Sequence, residues 1–415
     1  MLQRSGQYLD AALGAIDAGA IARDASRLVR VPSVTGDERA AIEEAAAMAD
    51  ELGLDAAVVE HDLATLRAGR GYPGEEAGRA ELVGATVTLA GEDPGAPRIC
   101  LNGHVDVVPE GAEPWTRGPW SGAVEEGAVH GRGAVDMKGG VAAALHALAA
   151  LEASGTRPAG DVVLQVVASE EDGGLGTYAA LERDDRFAAC LIPEPTDFTL
   201  VCAHAGALTF SGVVRGKGAH AAMRLEGVSA IDRYLPIHEA LQAHERELNA
   251  RTRHPLLADH PLPYPVLVGR VQAGQWSSQV PDELRFEGRL GVPVGESLEQ
   301  ARAAFEHVVA AAGDDDGPAV EIAWTGGQFG SGETALDDPW VALVREAAAA
   351  ELGAPPALAG SPYGADMRQF TERGIPCVMF GPSGSRRAHS VDERVEIRDL
   401  EQLARTIVRA IAAFG

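Results

Sequence analysis

The chain carries Leu101-Asn-Gly-His104-Val-Asp106 at the end of an apolar run, and Gly131-Arg-Gly-Ala-Val-Asp136-Met-Lys-Gly-Gly140 follows it. A histidine and carboxylates therefore stand where apolar strands are expected to end. Further fragments of the same kind come later in the chain: Ala168-Ser-Glu170-Glu171-Asp172, Leu191-Ile-Pro-Glu194-Pro-Thr and Arg387-Ala-His389-Ser-Val-Asp-Glu393. Because imidazole nitrogens and carboxylate oxygens bind metal ions, this series predicts a metal site.

The proposed ligands are two histidines and three carboxylates, namely His104, Asp136, Glu171, Glu194 and His389. They are too many for one tetrahedral zinc ion, but they suit two metal ions that share a bridging ligand. We predict that Asp136 is the bridge. Either histidine could instead be a surface or core residue, and Glu194, between two prolines, could belong to a solvated turn. The recurrence of carboxylates at strand ends favours ligation for all of them.

Two further acids are expected to act beside the ligands. Successive side chains at a strand end point in different directions, so Glu170 can face the substrate as general base while Glu171 binds metal. Asp106 lies two residues after His104 on the same side of an extended segment, so its carboxylate could accept the second imidazole N–H. The other histidines, apart from His220, are interpreted as structural: His61, His130, His146, His204, His238, His244, His254, His260 and His307.

Length and composition limit the class of protein. At 415 residues the chain exceeds the size at which single cores stop growing, so more than one domain is expected. The formal net charge of -26 argues against a nucleic-acid or membrane partner, because such surfaces need clustered Lys and Arg. The first residues lack the apolar core of a signal peptide, so we expect a cytoplasmic protein. The cysteines lack CxxC spacing and are expected to be reduced and buried.

Strands that alternate with helices predict an α/β sheet covered on both faces. We expect helices over residues 11–28, 37–52 and 140–153, and strands over residues 98–102 and 161–168. Open α/β sheets bind ligands at the carboxyl ends of their strands, so the proposed metal ligands should converge there.

The pattern changes after about residue 201, where the order of elements predicts a smaller α+β domain. Strands are expected over residues 207–216, 266–271, 284–292 and 320–324, and helices over residues 228–249 and 297–312. The chain must then return to the first domain, because His389 has to reach the metal site. We therefore predict a catalytic domain of residues 1–203 and 326–415, interrupted by a domain of residues 204–325.

These fragments resemble the motifs of the M20 family of metallopeptidases and deacylases, which includes acetylornithine deacetylase, succinyl-diaminopimelate desuccinylase and carboxypeptidase G. The resemblance begins at Leu28-Val-Arg-Val-Pro-Ser-Val-Thr-Gly36 and continues to the His389 segment. It implies the same ligands, with Glu170 as base, in a catalytic domain whose mixed, mostly parallel sheet is flanked by helices. It also implies that the inserted domain is a lid through which two chains form a homodimer.

Residues of the lid receive roles from the same resemblance. His220, in Gly216-Lys-Gly-Ala-His220-Ala, matches a histidine that reaches the neighbouring subunit's active site and supports the oxyanion; the alternative is a histidine that stabilises its own turn. Arg289 matches an arginine suited to a substrate carboxylate; the alternative is an ordinary surface arginine of a strand.

Two other segments resemble parts of the family that contact substrate, each with a departure. Gly364 lies in Tyr363-Gly-Ala-Asp-Met-Arg368, where Ala365 replaces the usual hydroxyl residue. Ser278 begins Ser278-Gln-Val-Pro-Asp282, where the family usually has asparagine. Both departures concern the substrate and leave the metal ligands intact.

The sequence thus predicts an amidohydrolase with two divalent metal ions, Zn²⁺ first and Co²⁺ or Mn²⁺ as alternatives. Its expected substrate is a small N-acyl amino acid or dipeptide-like molecule with a free carboxylate. A dipeptidase or carboxypeptidase of the same family would share every metal ligand, and a metal-binding scaffold without turnover is the alternative from another class. The sequence leaves open whether Arg386 and Arg387, just before His389, face the metal site or a solvated loop.

Overall fold

The computed structural model describes residues 2–313 and 318–414, which form a large mixed sheet covered by helices and a smaller antiparallel sheet. The helices of these residues are, in chain order, α1 (Leu2–Ala15), α2 (Ala18–Arg30), α3 (Arg39–Glu51), α4 (Leu63–Ala68), α5 (Gly139–Ser154), α6 (Leu175–Arg183), α7 (Ala230–Arg251), α8 (Leu298–Ala312), α9 (Pro339–Leu352), α10 (Met367–Thr371) and α11 (Ile397–Ala413). The strands are β1 (Asp55–Glu60), β2 (Val83–Leu89), β3 (Ile99–His104), β4 (Ala123–Glu125), β5 (Ala128–His130), β6 (Val162–Val167), β7 (Ala189–Ile192), β8 (Leu200–His204), β9 (Gly206–Arg215), β10 (Val266–Ala273), β11 (Glu283–Val292), β12 (Glu321–Phe329), β13 (Gly332–Glu333), β14 (Leu358–Ser361), β15 (Cys377–Met379) and β16 (Arg394–Glu396).

The large sheet has the strand order β1-β2-β6-β3-β7-β15-β8-β13, with β14 paired to β8. Its central strands β6, β3, β7 and β15 run parallel to one another, whereas β1, β2 and β13 are attached by antiparallel pairing. The predicted mixed sheet flanked by helices is confirmed. β6 and β7 are buried along their whole length, and this explains why they appear in the sequence as continuous apolar runs.

Helix α5 is the central helix of the larger core. It packs on β3 and β6 on one side and contacts α1, α2 and α11 on the other, so side chains all round it are buried. Together with the short turn before it, it is long and apolar enough to cross a membrane. Because almost all of it is buried inside the protein, these properties are those of a core helix.

The N-terminal helical segment differs from the prediction. We expected one helix over residues 11–28, but α1 ends at Ala15 and α2 begins at Ala18. Asp17 stands between them, and its carboxylate accepts hydrogen bonds from the backbone N–H groups of Gly19 and Ala20 at 2.8 and 3.1 Å. This carboxylate caps the start of α2. The apolar periodicity runs through both helices and therefore does not mark the break.

The smaller sheet has the order β10-β11-β9-β12 and draws its strands from residues 206–329. Helices α7 and α8 lie on the same face of it, because Phe210 of β9 contacts Phe305 of α8 and Phe286 of β11 contacts Tyr234 of α7. These aromatic rings belong to a second hydrophobic core. We call residues 206–329 the lid.

The chain enters and leaves the lid at one place in the large sheet. His204, the last residue of β8, is paired with Gly332, the first residue of β13. A Cβ atom on Gly332 would lie 2.7 Å from the Nε2 atom of His204, so glycine permits this close approach. The chain therefore enters and leaves the lid through neighbouring residues of one antiparallel strand pair.

All four cysteines are free and buried, as predicted. Cys100, Cys190 and Cys377 occupy paired positions on the neighbouring strands β3, β7 and β15. Burial and the two neighbouring thiols raise the pKa of the Cys190 thiol. It therefore stays protonated and acts as a small apolar side chain in the core.

His204 leads to a prediction about acid stability. It is fully buried, its Nδ1 atom lies 2.9 Å from the carbonyl oxygen of Ala205, and Nε2 has no hydrogen-bond partner in the described ranges. Burial lowers the pKa of His204 from 6.5 to about 4. Between these values the unfolded chain binds a proton that the folded chain does not, so stability present above the upper value is lost as the pH falls.

Between pH 7 and pH 4.5, we expect the free energy of unfolding to fall by about 2 kcal/mol less in His204→Gln than in the wild type. The measurement is the free energy of unfolding of metal-free protein in denaturant at both pH values. His307→Gln, on the exposed side of α8, is the matched control. The same pH dependence in both variants and the wild type would contradict this role for His204.

Candidate metal centre

The predicted ligands meet at the carboxyl ends of neighbouring strands in the large sheet. His104 is the last residue of β3, Glu171 follows β6 and Glu194 follows β7. Asp136 lies in the turn that leads into α5, and His389 lies in the loop before β16. Residues from both sides of the lid insertion thus reach one crevice, where ligands of open α/β sheets are expected.

The ligands form two groups that share Asp136: His104, Asp136 and Glu194 in one, and Asp136, Glu171 and His389 in the other. In the first, His104 Nε2 lies 3.2 Å from Asp136 Oδ1 and 3.6 Å from Glu194 Oε1. In the second, His389 Nε2 lies 3.4 Å from Asp136 Oδ2 and 3.0 Å from Glu171 Oε1. Asp136 turns one oxygen toward each group, which is the arrangement that a bridging ligand needs.

The charges at this place fit two divalent cations. Burial, and next the charge of Asp136, raise the pKa values of Glu171 and Glu194. Hydrogen bonds with Asp136 and Glu171 raise the pKa of His389 to about 10. Buried carboxylates this close together are unfavourable unless cations neutralise them, and imidazole with carboxylate is a donor set of zinc. The residues present therefore fit a pair of metal ions.

The hydrogen bonds of Asp106 differ from those that we predicted. We expected its carboxylate to accept the second N–H of His104, but His104 Nδ1 lies 2.9 Å from the main-chain carbonyl of Asp106 and 3.5 Å from carboxylate Oδ1. The carboxylate instead accepts the backbone N–H groups of Glu170 and Glu171, both at 3.1 Å. Asp106 therefore orients the imidazole with its carbonyl and fixes the Glu170–Glu171 pair with its side chain.

Glu170 lies in the same crevice but belongs to neither ligand group. Just before it, Ser169 has a φ of 65°, a left-handed conformation that is uncommon outside glycine, and its hydroxyl donates to Asp172. This turn ends β6 and lets Glu171 reach His389 while Glu170 lines the cleft. Burial, and then the nearby carboxylate of Asp366, raise the pKa of Glu170.

An ion pair that the sequence did not reveal holds Asp136 in place. The Glu393 carboxylate accepts the backbone N–H groups of Val135 and Asp136 at 3.0 and 3.2 Å, and pairs with Arg132 at 2.7 Å. Arg132 also donates to the carbonyl oxygen of His389 at 3.3 Å. Arg132 and Glu393 both belong to the quoted fragments, but their pairing joins positions 261 residues apart and cannot be read from spacing.

A row of buried polar side chains, also unforeseen, lies behind Glu170. Asn102 Nδ2 donates to Gln165 Oε1 at 3.2 Å and to Thr177 Oγ1 at 3.0 Å. Thr177 in turn donates to Asp366 Oδ2 at 2.6 Å. These hydrogen bonds therefore connect buried side chains of β3 and β6 to Asp366, whose charge raises the pKa of Glu170.

A cleft of about 320 Å³ adjoins the two ligand groups and is also lined by residues of the lid. Arg289 lines it, with its guanidinium carbon 5.8 Å from the ring centre of Phe329, and makes no ion pair with an acid in the described ranges. Gly364 also lines it, and a Cβ atom there would lie 2.6 Å from the Cβ of Phe329. Both residues predicted to approach substrate at these positions therefore face the cleft.

Other predicted residues lie outside the cleft of their own chain. His220 is exposed, and its Nδ1 accepts the backbone N–H of Ala222 at 3.1 Å, so within one chain it stabilises its own turn. Ser278 is exposed beside it, and its carbonyl accepts the N–H of Ala221 at 2.9 Å. Arg386 and Arg387 do not line the cleft either.

Comparison with known sequences gives one family and a set of close relatives. The sequence pattern of Peptidase family M20/M25/M40 matches residues 100–413. The succinyl-diaminopimelate desuccinylase of Methylobacterium radiotolerans is 29% identical over 408 residues, covering 94% of this chain and 96% of that enzyme. The enzyme of the same name from Alkalilimnicola ehrlichii is 32% identical over 323 residues, covering 74% of this chain and 82% of that enzyme.

Solved structures share the fold over almost the whole chain. A dipeptidase from Saccharomyces cerevisiae superimposes with a TM-score of 0.74 at 14% identity, covering 98% of this chain and 99% of that one. A dinuclear metal-binding peptidase from Bacillus subtilis gives a TM-score of 0.66 at 17% identity, covering 95% and 97%. At these identities the likeness concerns the fold.

The neighbours Glu170 and Glu171 allow a matched test of the division between base and ligand. We expect Glu170→Gln to keep both metal ions and to lose roughly a hundredfold to ten-thousandfold in kcat, because only proton transfer is removed. Glu171→Gln should lose metal. Metal content per chain after dialysis, measured beside kcat, checks both. Equal metal loss in the two variants would mean that the roles are assigned wrongly.

Proposed function

Because the chain belongs to peptidase family M20, we propose that it hydrolyses the amide bond of a small N-succinyl amino acid, with zinc as its metal. The observation that carries the proposal is the cleft, which is lined by two ligand groups and Glu170 and also by Arg289, a residue without an ion pair in the described part of the chain. Curated relatives that align along most of the chain are desuccinylases, and this supports a succinyl group.

The two groups of ligands, joined by Asp136, would hold two metal ions, which when bound supply positive charge that acidifies water and polarises a carbonyl group. Glu170 takes the proton of the attacking water and delivers it to the leaving amine. Its position depends on Asp106, which holds the backbone N–H groups of Glu170 and Glu171. Asp366 disfavours a second negative charge beside it, so Glu170 retains affinity for the proton that it transfers.

Arg289 would bind the free carboxylate of the substrate. Its guanidinium has no acidic partner in the part of the chain that the structure describes, and it lines the same cleft as the ligand groups. A guanidinium binds a carboxylate with two parallel hydrogen bonds and so fixes the orientation of the scissile amide. The lid would thus hold one end of the substrate while the catalytic domain acts on the other.

The substrate proposal is tested with a panel in which each compound differs by one group. N-succinyl and N-acetyl forms of one amino acid identify the acyl group. A third compound, in which a carboxamide replaces the amino acid's own carboxylate in the better substrate, removes the negative charge that Arg289 is proposed to bind. Arg289→Ala should lower kcat/KM about tenfold to a hundredfold for the carboxylate and much less for the carboxamide.

Arg285→Ala is the matched control, because Arg285 lies on the same strand and pairs with Glu283 outside the cleft. Equal losses on carboxylate and carboxamide would exclude Arg289 from recognition. Hydrolysis of dipeptides with no N-acyl substrate accepted would favour a dipeptidase. Metal-loaded protein that hydrolyses neither class would favour a scaffold.

The dimer through the lid is part of the proposal, because His220 cannot act in its own cleft. Large apolar side chains near its turn are exposed: Leu225 is 93% exposed and Trp276 73%. Such a surface on the lid favours a protein partner, and a second copy would bring His220 to the other cleft. There its imidazole would donate a hydrogen bond to the developing oxyanion.

Mixed dimers test the transfer of His220 between subunits. His220→Ala and Glu170→Gln are each expected to be inactive, but a dimer with one subunit of each has one site with both native residues. Random exchange should therefore restore about a quarter of wild-type activity. The measurement is activity after subunit exchange, with exchange itself followed by differently tagged subunits. If activity does not recover although subunits exchange, His220 takes no part in the reaction of the neighbouring subunit.

The proposed compartment is the cytoplasm. The four free, buried cysteines support it, because thiols stay reduced there.

A further inference from the structure

A second cavity lies on the large sheet, away from the metal centre. It has a volume of about 200 Å³ and is bounded by β2, β6 and the end of α6. It shares no lining residue with the cleft that contains the metal ligands. We call it the α6 cavity.

Hydrogen-bond donors collect on one wall of the α6 cavity. Thr86 and Thr88 alternate along β2, so their hydroxyls face the same side, and neither hydroxyl has a partner in the residues that the structure describes. Gln165 lines the same space; its Oε1 accepts from Asn102, whereas its Nε2 has no partner in those residues. Each of these free groups can donate a hydrogen bond, so together they suit a ligand rich in acceptors.

Arg98 provides a cationic donor at the end of the cavity near Asp184. One terminal nitrogen pairs with Asp184 at 2.8 Å, and the Nε atom is buried without a hydrogen-bond partner in the described ranges. The guanidinium lies over the ring of Phe187, 4.8 Å from its centre. This contact holds the planar group in place, and the second terminal nitrogen, Nη2, has no hydrogen-bond partner in the described residues and can donate to a ligand.

The charges around the cavity leave an excess of positive charge. Asp184 is already paired with Arg98 and, outside the cavity, with Arg186. Arg183 lines the cavity and has no ion-pair partner in the described part of the chain. Burial and the charge of Arg183 lower the pKa of His61 to about 4, so this histidine is neutral. Such an excess stands out in a chain with a net charge of -26.

The remaining wall is apolar and is formed by Val59, Val163, Val167, Ala180 and Phe187. An apolar cavity of roughly 150 Å³ is large enough for benzene, so this one can hold a chain of a few methylene groups. A charged group at the arginines and a short aliphatic body against the valines would satisfy both walls.

We propose that the α6 cavity is a second binding site, for a short aliphatic monocarboxylate with the dimensions of butyrate. The carboxylate lies between Arg98 and Arg183 and accepts hydrogen bonds from Thr86 and Gln165. The methylene groups contact the valines of β6. Gln165 also belongs to the polar row that ends at Asp366. Hydrogen bonds therefore connect the cavity to the carboxylate that lies near Glu170.

Calorimetric titration of the metal-loaded full-length protein with butyrate tests the proposal. Arg183→Ala should weaken binding about tenfold, and Thr86→Val by a smaller factor, because each removes one group that contacts the carboxylate. The side chains of Arg183 and Thr86 have no hydrogen bond or ion pair to lose in the described structure, so both variants should fold. Butyramide, which has nearly the same size and no charge, should bind far more weakly than butyrate.

Two controls separate this site from the metal cleft. Arg186→Ala removes the same charge three residues away, outside the cavity, and should leave butyrate binding within about twofold of wild type. Any butyrate that binds in the cleft should be lost in Arg289→Ala, whereas binding in the α6 cavity should remain in Arg289→Ala and weaken in Arg183→Ala. Loss of binding in Arg289→Ala with none in Arg183→Ala would place butyrate in the cleft and overturn the proposal. Absence of binding to the wild type, or equal affinity for butyramide, would also overturn it.

Discussion

The carboxylate of Asp136, shared by two imidazoles, is the interaction on which the rest of this structure depends. One of its oxygens faces His104 and the other faces His389, and these residues come from opposite sides of the lid insertion. The ion pair of Glu393 and Arg132 fixes the backbone at Asp136 from the C-terminal side. The metal centre therefore joins the two parts of the catalytic domain, and binding of cations there stabilises the folded chain as well as the site.

The ligands could be predicted because each follows an apolar strand. A central strand of a parallel sheet is buried on both faces, so its residues form a continuous apolar run, and a polar residue at its carboxyl end stands out. His104, Glu171 and Glu194 are of this kind, and the structure brings them into one crevice. The resemblance to a known family extended this reading to the lid, whose strand and helix pattern differs from that of the catalytic domain.

The contacts that complete the site could not be read in the same way, because they depend on the spatial arrangement of distant segments. Asp106 was expected to bind His104 through its carboxylate, yet that carboxylate reaches the end of β6, which lies beside β3 only in the folded sheet. Glu393 and Arg132, and the polar row behind Glu170, are long-range pairs of the same kind. The break between α1 and α2 is a local case, where capping by Asp17 interrupts a helix that periodicity extends.

The pairing of His204 with Gly332 gives the lid a modular character. Everything between these residues begins and ends in a single antiparallel pair, so β8 and β13 would form an ordinary hairpin if a short turn replaced the lid. A segment with adjacent ends can be gained, lost or exchanged without altering the sheet that supports it. The lid can therefore change during evolution while the sheet that carries the metal ligands is kept.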